Sequence, residues 1–192
     1  FTGVTTSYVD AFFETVSGFT TTGATIFSNV EILPRSILMW RSFTHWVGCM
    51  GVLVFIMAFL PLSGGQNMHI MKAESAGPSV SKLVPRVRTT AMILYSIYLG
   101  LTLIQFILLL CGGLNAFEAL CTAFGTAGTG GFGVLNDSMA SYSPYVQWVV
   151  TVFMLLFSVN FSCYYLFLLG RFKEAFNGEL RRFICIVGAV IL

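Results

Sequence analysis

The chain has 192 residues, of which 56% are hydrophobic and only 9% are charged, and its mean hydropathy is +0.84. Soluble domains carry about 25% charged residues, so this composition excludes an ordinary soluble globule and predicts an integral membrane protein in a lipid bilayer. The net charge is only +2. No basic patch is interleaved with aromatic residues, so the sequence predicts no nucleic-acid partner.

Three apolar stretches are long enough to cross the hydrocarbon core, which takes about 20 helical residues. We predict spans over residues 35–61, 89–112 and 144–170, and the start of a fourth in the apolar run from Phe183. The chain opens without an initiator Met and closes inside that last run. We therefore expect it to be a piece of a longer protein.

Two other segments are too short and too polar to cross, and each predicts a short helix. They are residues 7–19 (SYVDAFFETVSGF) and 115–124 (NAFEALCTAF). In each, a good N-cap residue is followed three positions later by an acid, as in a capping box: Ser7 with Asp10, and Asn115 with Glu118. Each helix then runs into a stretch rich in Gly and Thr, at residues 20–25 (TTTGAT) and 125–133 (GTAGTGGFG).

The pattern of span, short helix, Gly/Thr loop and span therefore occurs twice, and internal repeats are common in membrane transporters. The first copy lacks its leading span here, and we expect the second short helix and loop to be about one helical turn longer. The resulting fold class is an all-α integral membrane protein with re-entrant pore loops. Its parts are 1–61 (first repeat), 62–88 (linker), 89–170 (second repeat) and 171–192 (loop and start of the next span).

The basic residues predict the topology. Residues 62–88 and 171–182 hold eight of the ten Lys and Arg residues, whereas residues 1–34 and 113–143 hold none. By the positive-inside rule the two basic segments are cytoplasmic. Both short helices and both Gly/Thr loops then lie on the outer side of the plasma membrane.

Non-helical backbone is tolerated at membrane depth only where it is buried in protein or lines a water-filled cavity. A short run of backbone carbonyls can replace the hydration shell of a cation, and glycine allows the backbone angles that such a run requires. We therefore predict that both loops form an ion-selectivity filter, with Gly130 as an alternative to Gly131 in the second. The predicted ion-binding residues are Thr21, Thr22, Gly23, Ala24, Thr129, Gly130, Gly131 and Phe132, with potassium held by the carbonyls of Thr21, Thr22, Gly23, Thr129, Gly130 and Gly131.

The runs FFETVSGFTTTGAT, RSFTHWVGCMG, TAGTGGFG and SVNF resemble the Trk/Ktr/HKT superfamily of potassium transporters, and most closely its bacterial TrkH-type pore subunit. The resemblance covers essentially the whole chain. It implies four repeats around one pore, of which this chain supplies part of the first and all of the second. It also implies potassium uptake across the plasma (inner) membrane, because potassium-selective members carry glycine where Gly23 stands. Some sodium-selective relatives carry serine there, so a sodium-permeable relative is an alternative.

The resemblance further implies a homodimer of the full-length subunit and a cytoplasmic nucleotide-binding regulatory ring. We expect no cofactor beyond the transported ion and no enzymatic activity, since the chain has only two histidines, His45 and His69, and no pair of membrane aspartates. A non-conducting scaffold or assembly subunit is an alternative of another class. A homotetramer of identical short subunits is disfavoured because the two loops differ in sequence.

Three polar residues near the predicted pore have supporting roles in this interpretation. Arg41 lies about two turns into the first span, and we expect a structural salt bridge with Glu14, the alternatives being an arginine that reaches the outer interface or one that acts directly in permeation. For His45, one turn further along, we expect a packed side chain that hydrogen-bonds a neighbouring helix. Asn160 is predicted to hydrogen-bond between helices in the third span, or to line the cavity below the filter.

Overall fold

The computed structural model describes residues 7–51, 87–168, 170 and 178–191. Every regular element in these residues is an α-helix, which confirms the all-α prediction. In chain order the helices are α1 (Tyr8–Phe19), α2 (Arg35–Cys49), α3 (Val87–Cys111), α4 (Ala116–Ala127), α5 (Pro144–Ser158), α6 (Phe161–Leu168) and α7 (Gly178–Ile191). Most of both predicted cytoplasmic segments, 62–86 and 171–177, lies outside the described residues.

The chain divides into two compact units. The first comprises Phe1–Val52 and Leu101–Leu155, and the second comprises Leu53–Gly100 and Leu156–Leu192. Helices α1, α2 and α4, and both Gly/Thr loops, belong to the first unit. The candidate site is therefore built within one unit.

The two short helices form as predicted, and the repeat is more regular than expected. Each has 12 residues, and each N-cap side chain accepts a hydrogen bond from the acid three positions on: Ser7 Oγ from Asp10 N at 3.4 Å, and Asn115 Oδ1 from Glu118 N at 2.9 Å. Helix α4 ends at Ala127, so the predicted end at residue 124 and the extra turn are wrong. Gly125 lies inside the helix and lets the carbonyl of Phe132 pack against it: a Cβ at Gly125 would lie 2.6 Å from that oxygen.

The first predicted span is interrupted after 15 residues. Helix α2 ends at Cys49, and Gly51 takes a positive φ of +78° while its N–H bonds to the Gly48 carbonyl at 3.0 Å. This is the usual way in which a glycine terminates a helix. At 1.5 Å per residue, α2 is about 22 Å long, which is shorter than the hydrocarbon core. The remainder of the predicted span, residues 52–61, lies outside the described residues.

The third predicted span is also interrupted, at Val159 and Asn160, between α5 and α6. Helix α5 has 15 residues, like α2, so the helices that follow the two loops stop after the same length. The break frees carbonyls that an unbroken helix would use. The Leu156 carbonyl accepts hydrogen bonds from Val159 N at 3.2 Å and from the Tyr164 hydroxyl at 2.7 Å, which compensates for part of that loss.

Helix α4 contacts α3 and α5 through one buried apolar cluster. The buried apolar cluster at this contact consists of Leu109, Ala119, Ala123, Val146 and Val150. The predicted second span corresponds to α3, in which Ala91–Cys111 is long and apolar enough to cross a bilayer, with mean hydropathy 2.2. It is the one such helix among the described residues, and side chains such as Leu103 and Ile107 on it are about half exposed.

Candidate functional site

The two Gly/Thr loops share one unusual backbone geometry. Thr21 and Thr129, each two residues beyond its short helix, have φ of +55° and +52°, and Gly23 and Gly131 have φ of +75° and +80°. Positive φ is rare for a β-branched residue, so the repetition at both threonines is not a generic property of loops. Gly130 is not among the positive-φ glycines. The geometry therefore pairs Gly131, rather than Gly130, with Gly23.

Each loop begins with a tight turn at the carboxyl end of its helix. Thr21 N bonds to the Gly18 carbonyl at 3.0 Å, and Thr129 N bonds to the Thr126 carbonyl at 2.9 Å. The next carbonyls along each loop accept no hydrogen bond from the described residues; they belong to Thr21, Thr22, Gly23, Thr129, Gly130 and Gly131. These oxygens remain available as ligands, beside the negative end of a helix dipole that favours cations.

The residue that follows each positive-φ glycine, Gly23 or Gly131, contacts its own helix through its carbonyl. In the first loop, the Ser17 hydroxyl donates to the Ala24 carbonyl at 2.6 Å. In the second, Gly125 stands at the position that corresponds to Ser17, and the Phe132 carbonyl packs directly on it. The carbonyl of Ala24 is thus engaged, so the free carbonyls of the first loop end at Gly23.

The two loops also touch each other through their backbones. A Cβ at Gly23 would collide with the carbonyl oxygen of Gly130, and a Cβ at Gly130 would collide with that of Thr21. Glycine is required at both places because any side chain would push the loops apart. The predicted filter residues of the two repeats are therefore brought together at one location.

Behind the first loop, Glu14 and Arg41 form the predicted salt bridge. Arg41 Nε lies 2.8 Å from Glu14 Oε1, and the two side chains are only 4% and 9% exposed. The same carboxylate accepts hydrogen bonds from the Thr25 hydroxyl at 2.7 Å and from Ile26 N at 3.2 Å. The ion pair therefore fastens the segment after Gly23 to both α1 and α2.

The Phe132 ring of the second loop lies against α2 of the first repeat. Its centroid is 4.2 Å from the Arg41 guanidinium carbon and 4.1 Å from the His45 ring centroid, with the two rings almost parallel at 6°. The hydrogen bond predicted for His45 is not formed with any described residue: both ring nitrogens are buried and have no hydrogen-bond partner there. Asn160 lies in the other compact unit, where its carbonyl accepts a hydrogen bond from Cys163 N at 2.9 Å.

Residues 2–181 match the family model TrkH, described as a cation transport protein. The chain belongs to the TrkH family. Its fold also matches the crystal structure of the potassium transporter TrkH from Vibrio parahaemolyticus, with a TM-score of 0.73 and 33% identity over 94% of this chain and 36% of that one.

Curated relatives of this TrkH-family chain include two proteins from Escherichia coli. The Trk system potassium uptake protein TrkH is 36% identical over 179 residues, which is 91% of this chain and 37% of the relative. The Trk system potassium uptake protein TrkG is 34% identical over 190 residues, or 97% and 39%. The chain therefore spans a little over a third of the length of the relatives that it matches.

The TrkH-family chain has one further feature at the site that the sequence analysis missed. The Asn136 side chain accepts a hydrogen bond from Val30 N at 2.8 Å and donates one to Asn29 Oδ1 at 2.8 Å. Asn136 N also donates to Glu31 Oε1 at 3.1 Å. This connection, which we call the asparagine clasp (Asn29, Val30, Glu31 and Asn136), joins the segments that follow the two Gly/Thr loops. Nothing in a single sequence indicates that these residues, more than 100 positions apart, lie together.

Proposed function

We propose that this chain forms two of the four filter loops of a potassium uptake protein in the plasma membrane. The observation that carries the proposal is the repeated loop geometry: Thr21 and Gly23 have the same positive φ values as Thr129 and Gly131. Two loops with free carbonyls, each after a short helix, suit the binding of a partly dehydrated cation. Membership of the TrkH family, and the potassium uptake named for its relatives, support the same ion.

In this proposal the carbonyls of Thr21–Gly23 and Thr129–Gly131 replace water around the ion. The carboxyl ends of α1 and α4 direct their negative dipole ends toward the same place, which lowers the free energy of a cation there. Glu14 and Arg41 hold the first loop in position from behind. No covalent step takes place, so the protein acts as a transporter rather than an enzyme.

The proposal includes the surroundings of the pore. Both filter loops face the outside of the cell, and the basic segments 62–88 and 171–182 face the cytoplasm, as the distribution of Lys and Arg favours. The full-length subunit forms a homodimer and works with a cytoplasmic nucleotide-binding ring. Asn160, at the break between α5 and α6, is a structural residue of the inner half of the second repeat.

The test is potassium-dependent growth of a bacterium that lacks its own uptake systems and expresses a full-length transporter containing this chain. We expect rescue at low external potassium. We expect Gly23→Ser to abolish the rescue or make it sensitive to sodium, because a side chain there displaces the Gly130 carbonyl. Gly131→Ser should likewise weaken the discrimination of potassium over sodium.

The control is Gly100→Ser, a change in α3 where a Cβ would meet no described atom within 4 Å. It should leave growth unchanged. If the protein reaches the membrane and purified protein does not conduct potassium, the scaffold alternative replaces the proposal. If it conducts sodium as readily as potassium, the sodium-permeable alternative does.

A further inference from the structure

The two filter loops differ at the residue that follows the filter glycine. Ala24 stands there in the first loop and Phe132 in the second. The Phe132 ring is 3% exposed, and it reaches out of its own repeat to contact α2 of the first repeat. The second loop is therefore attached to the first repeat through an aromatic side chain for which the first loop has no counterpart.

Two residues of α2, one helical turn apart, receive this ring. The Arg41 guanidinium lies over it at 4.2 Å, a distance at which a cation interacts favourably with an aromatic face. The His45 ring stacks on it at 4.1 Å. Both receiving side chains are buried, with Arg41 4% and His45 0% exposed.

His45 also contacts the loop one residue before the filter glycine. A Cβ at Gly130 would lie 2.5 Å from His45 Cε1 and 2.9 Å from His45 Nε2. The imidazole thus packs against the loop on both sides of Gly131, at Gly130 and at Phe132. Movement of this ring would move the peptide that carries the Gly131 carbonyl.

Hydrogen bonds do not explain why Arg41 and His45 lie against the Phe132 ring. Within the described part of the chain, His45 Nδ1, His45 Nε2 and Arg41 Nη1 are buried and have no hydrogen-bond partner. The contacts made by His45 are those of a flat ring. Arg41 pairs through its Nε with Glu14, which holds the first loop, and contacts through its planar face Phe132, which belongs to the second loop. One guanidinium group therefore contacts residues from both repeats.

We propose that Arg41 and His45 are positioning residues that hold the Phe132 ring and so set the place of the Gly131 carbonyl relative to the first loop. The proposal rests on the proposed filter function and adds to it a determinant of ion selectivity outside the filter itself. The property that matters at residue 45 is then the flat ring, and at residue 41 the planar guanidinium.

The experiment compares potassium and sodium uptake by the full-length transporter and a set of variants at equal amounts in the membrane. Phe132→Leu and His45→Ala each remove one partner of the stack. We expect each to lower the potassium-to-sodium uptake ratio about two- to tenfold, the range that corresponds to the loss of one aromatic contact. Arg41→Lys keeps the charge beside Glu14 but loses the planar face, and we expect the same direction of change.

His45→Phe is the decisive variant, because it keeps a flat ring and removes both nitrogens. It should retain the ratio of the unsubstituted protein. Phe27→Leu is the matched control: this ring lies 5.9 Å from the Arg41 guanidinium carbon but belongs to no filter position, so its loss should leave the ratio unchanged.

The outcomes separate this inference from the proposed function. If the unsubstituted transporter takes up potassium and Gly23→Ser changes its selectivity, the proposed filter function is supported. That result does not depend on the variants of Phe132, His45 and Arg41. The inference is overturned if Phe132→Leu and His45→Ala keep the original ratio, or if His45→Phe shifts it as far as His45→Ala. If His45→Ala does not reach the membrane, His45→Leu and Phe132→Leu provide the same comparison.

Discussion

Thr21 and Thr129 adopt the same left-handed backbone conformation, with φ of +55° and +52°, although they lie in different repeats. A β-branched residue in this region is strained by about 1–3 kcal/mol and persists only where its surroundings hold it there. The second Gly/Thr loop thus repeats the backbone strain of the first, which indicates that the conformation is required at both places.

Replacing either threonine by glycine should release this strain. We expect Thr129→Gly to leave the free energy of unfolding unchanged or raise it by about 1 kcal/mol, while the discrimination between potassium and sodium falls because the loop gains freedom. Thermal unfolding in detergent and uptake ratios measure the two effects. The control is Thr15→Gly in the middle of α1, which should destabilise by about 0.3–0.5 kcal/mol, the difference in helix propensity between the two residues. A strong loss of stability in Thr129→Gly would show that side-chain contacts, not strain, dominate at this residue.

The buried ion pair of Glu14 and Arg41 should be strongly coupled. Glu14→Gln leaves the Arg41 charge buried without its counter-ion and should lower the free energy of unfolding by about 3–5 kcal/mol. Adding Arg41→Met to this variant should recover part of the loss, because no uncompensated charge then remains. The measurement is a double-mutant cycle, in which additive losses from the two single changes would contradict the coupling.

Gly48 and Gly100 are helical glycines with opposite expected responses to alanine. A Cβ at Gly48 would lie 2.8 Å from the carbonyl carbon of Phe19, at the end of α1, whereas one at Gly100 would meet nothing within 4 Å in the described residues. We expect Gly48→Ala to destabilise by about 1–3 kcal/mol through overpacking. Gly100→Ala should be neutral or stabilise by up to about 1 kcal/mol. Equal midpoints for the two variants in thermal unfolding would argue against the contact between α1 and α2.

The asparagine clasp should limit the motion of the segments that follow the two Gly/Thr loops. Asn136→Ala removes the acceptor for Val30 N and the donor to Asn29, so we expect faster amide hydrogen exchange in residues 26–34. Mass spectrometry of exchanged peptides gives this directly. Ala140→Ser, an exposed change in the segment that follows the second loop, serves as the control and should leave exchange in residues 26–34 as it was. Unchanged exchange in Asn136→Ala would mean that the clasp does not restrain these segments.

Tyr164 stabilises the break between α5 and α6 by donating to the Leu156 carbonyl at 2.7 Å. Tyr164→Phe should lower the free energy of unfolding by about 0.5–1.5 kcal/mol, the usual net value of one hydrogen bond. Tyr165→Phe removes the neighbouring hydroxyl and should have a smaller effect, which detergent unfolding can compare. If both changes lower the free energy of unfolding equally, the hydrogen bond to the Leu156 carbonyl does not stabilise the break.

Local patterns in the sequence predicted much of the site. The caps at Ser7 and Asn115 follow from neighbouring residues, and the salt bridge of Glu14 with Arg41 was expected from the cost of a buried charge. Helix ends were predicted less well, because they depend on packing as well as on propensity. Gly125 was expected to end α4 but lies inside it, and α2 was expected to continue beyond Gly51 but ends before it.

The sequence by itself determined the helical membrane class, the repeat, and the Thr and Gly residues of the two loops, since composition, periodicity and motif spacing are properties of short stretches. Only the tertiary structure decided that Gly131 rather than Gly130 pairs with Gly23, that Phe132 packs on Arg41 and His45, and that Asn136 bonds to the segment around Val30. The physical reason is that backbone dihedral angles in a loop, and contacts between residues about 100 positions apart, arise from the packing of one repeat on the other, which no local pattern of residues records.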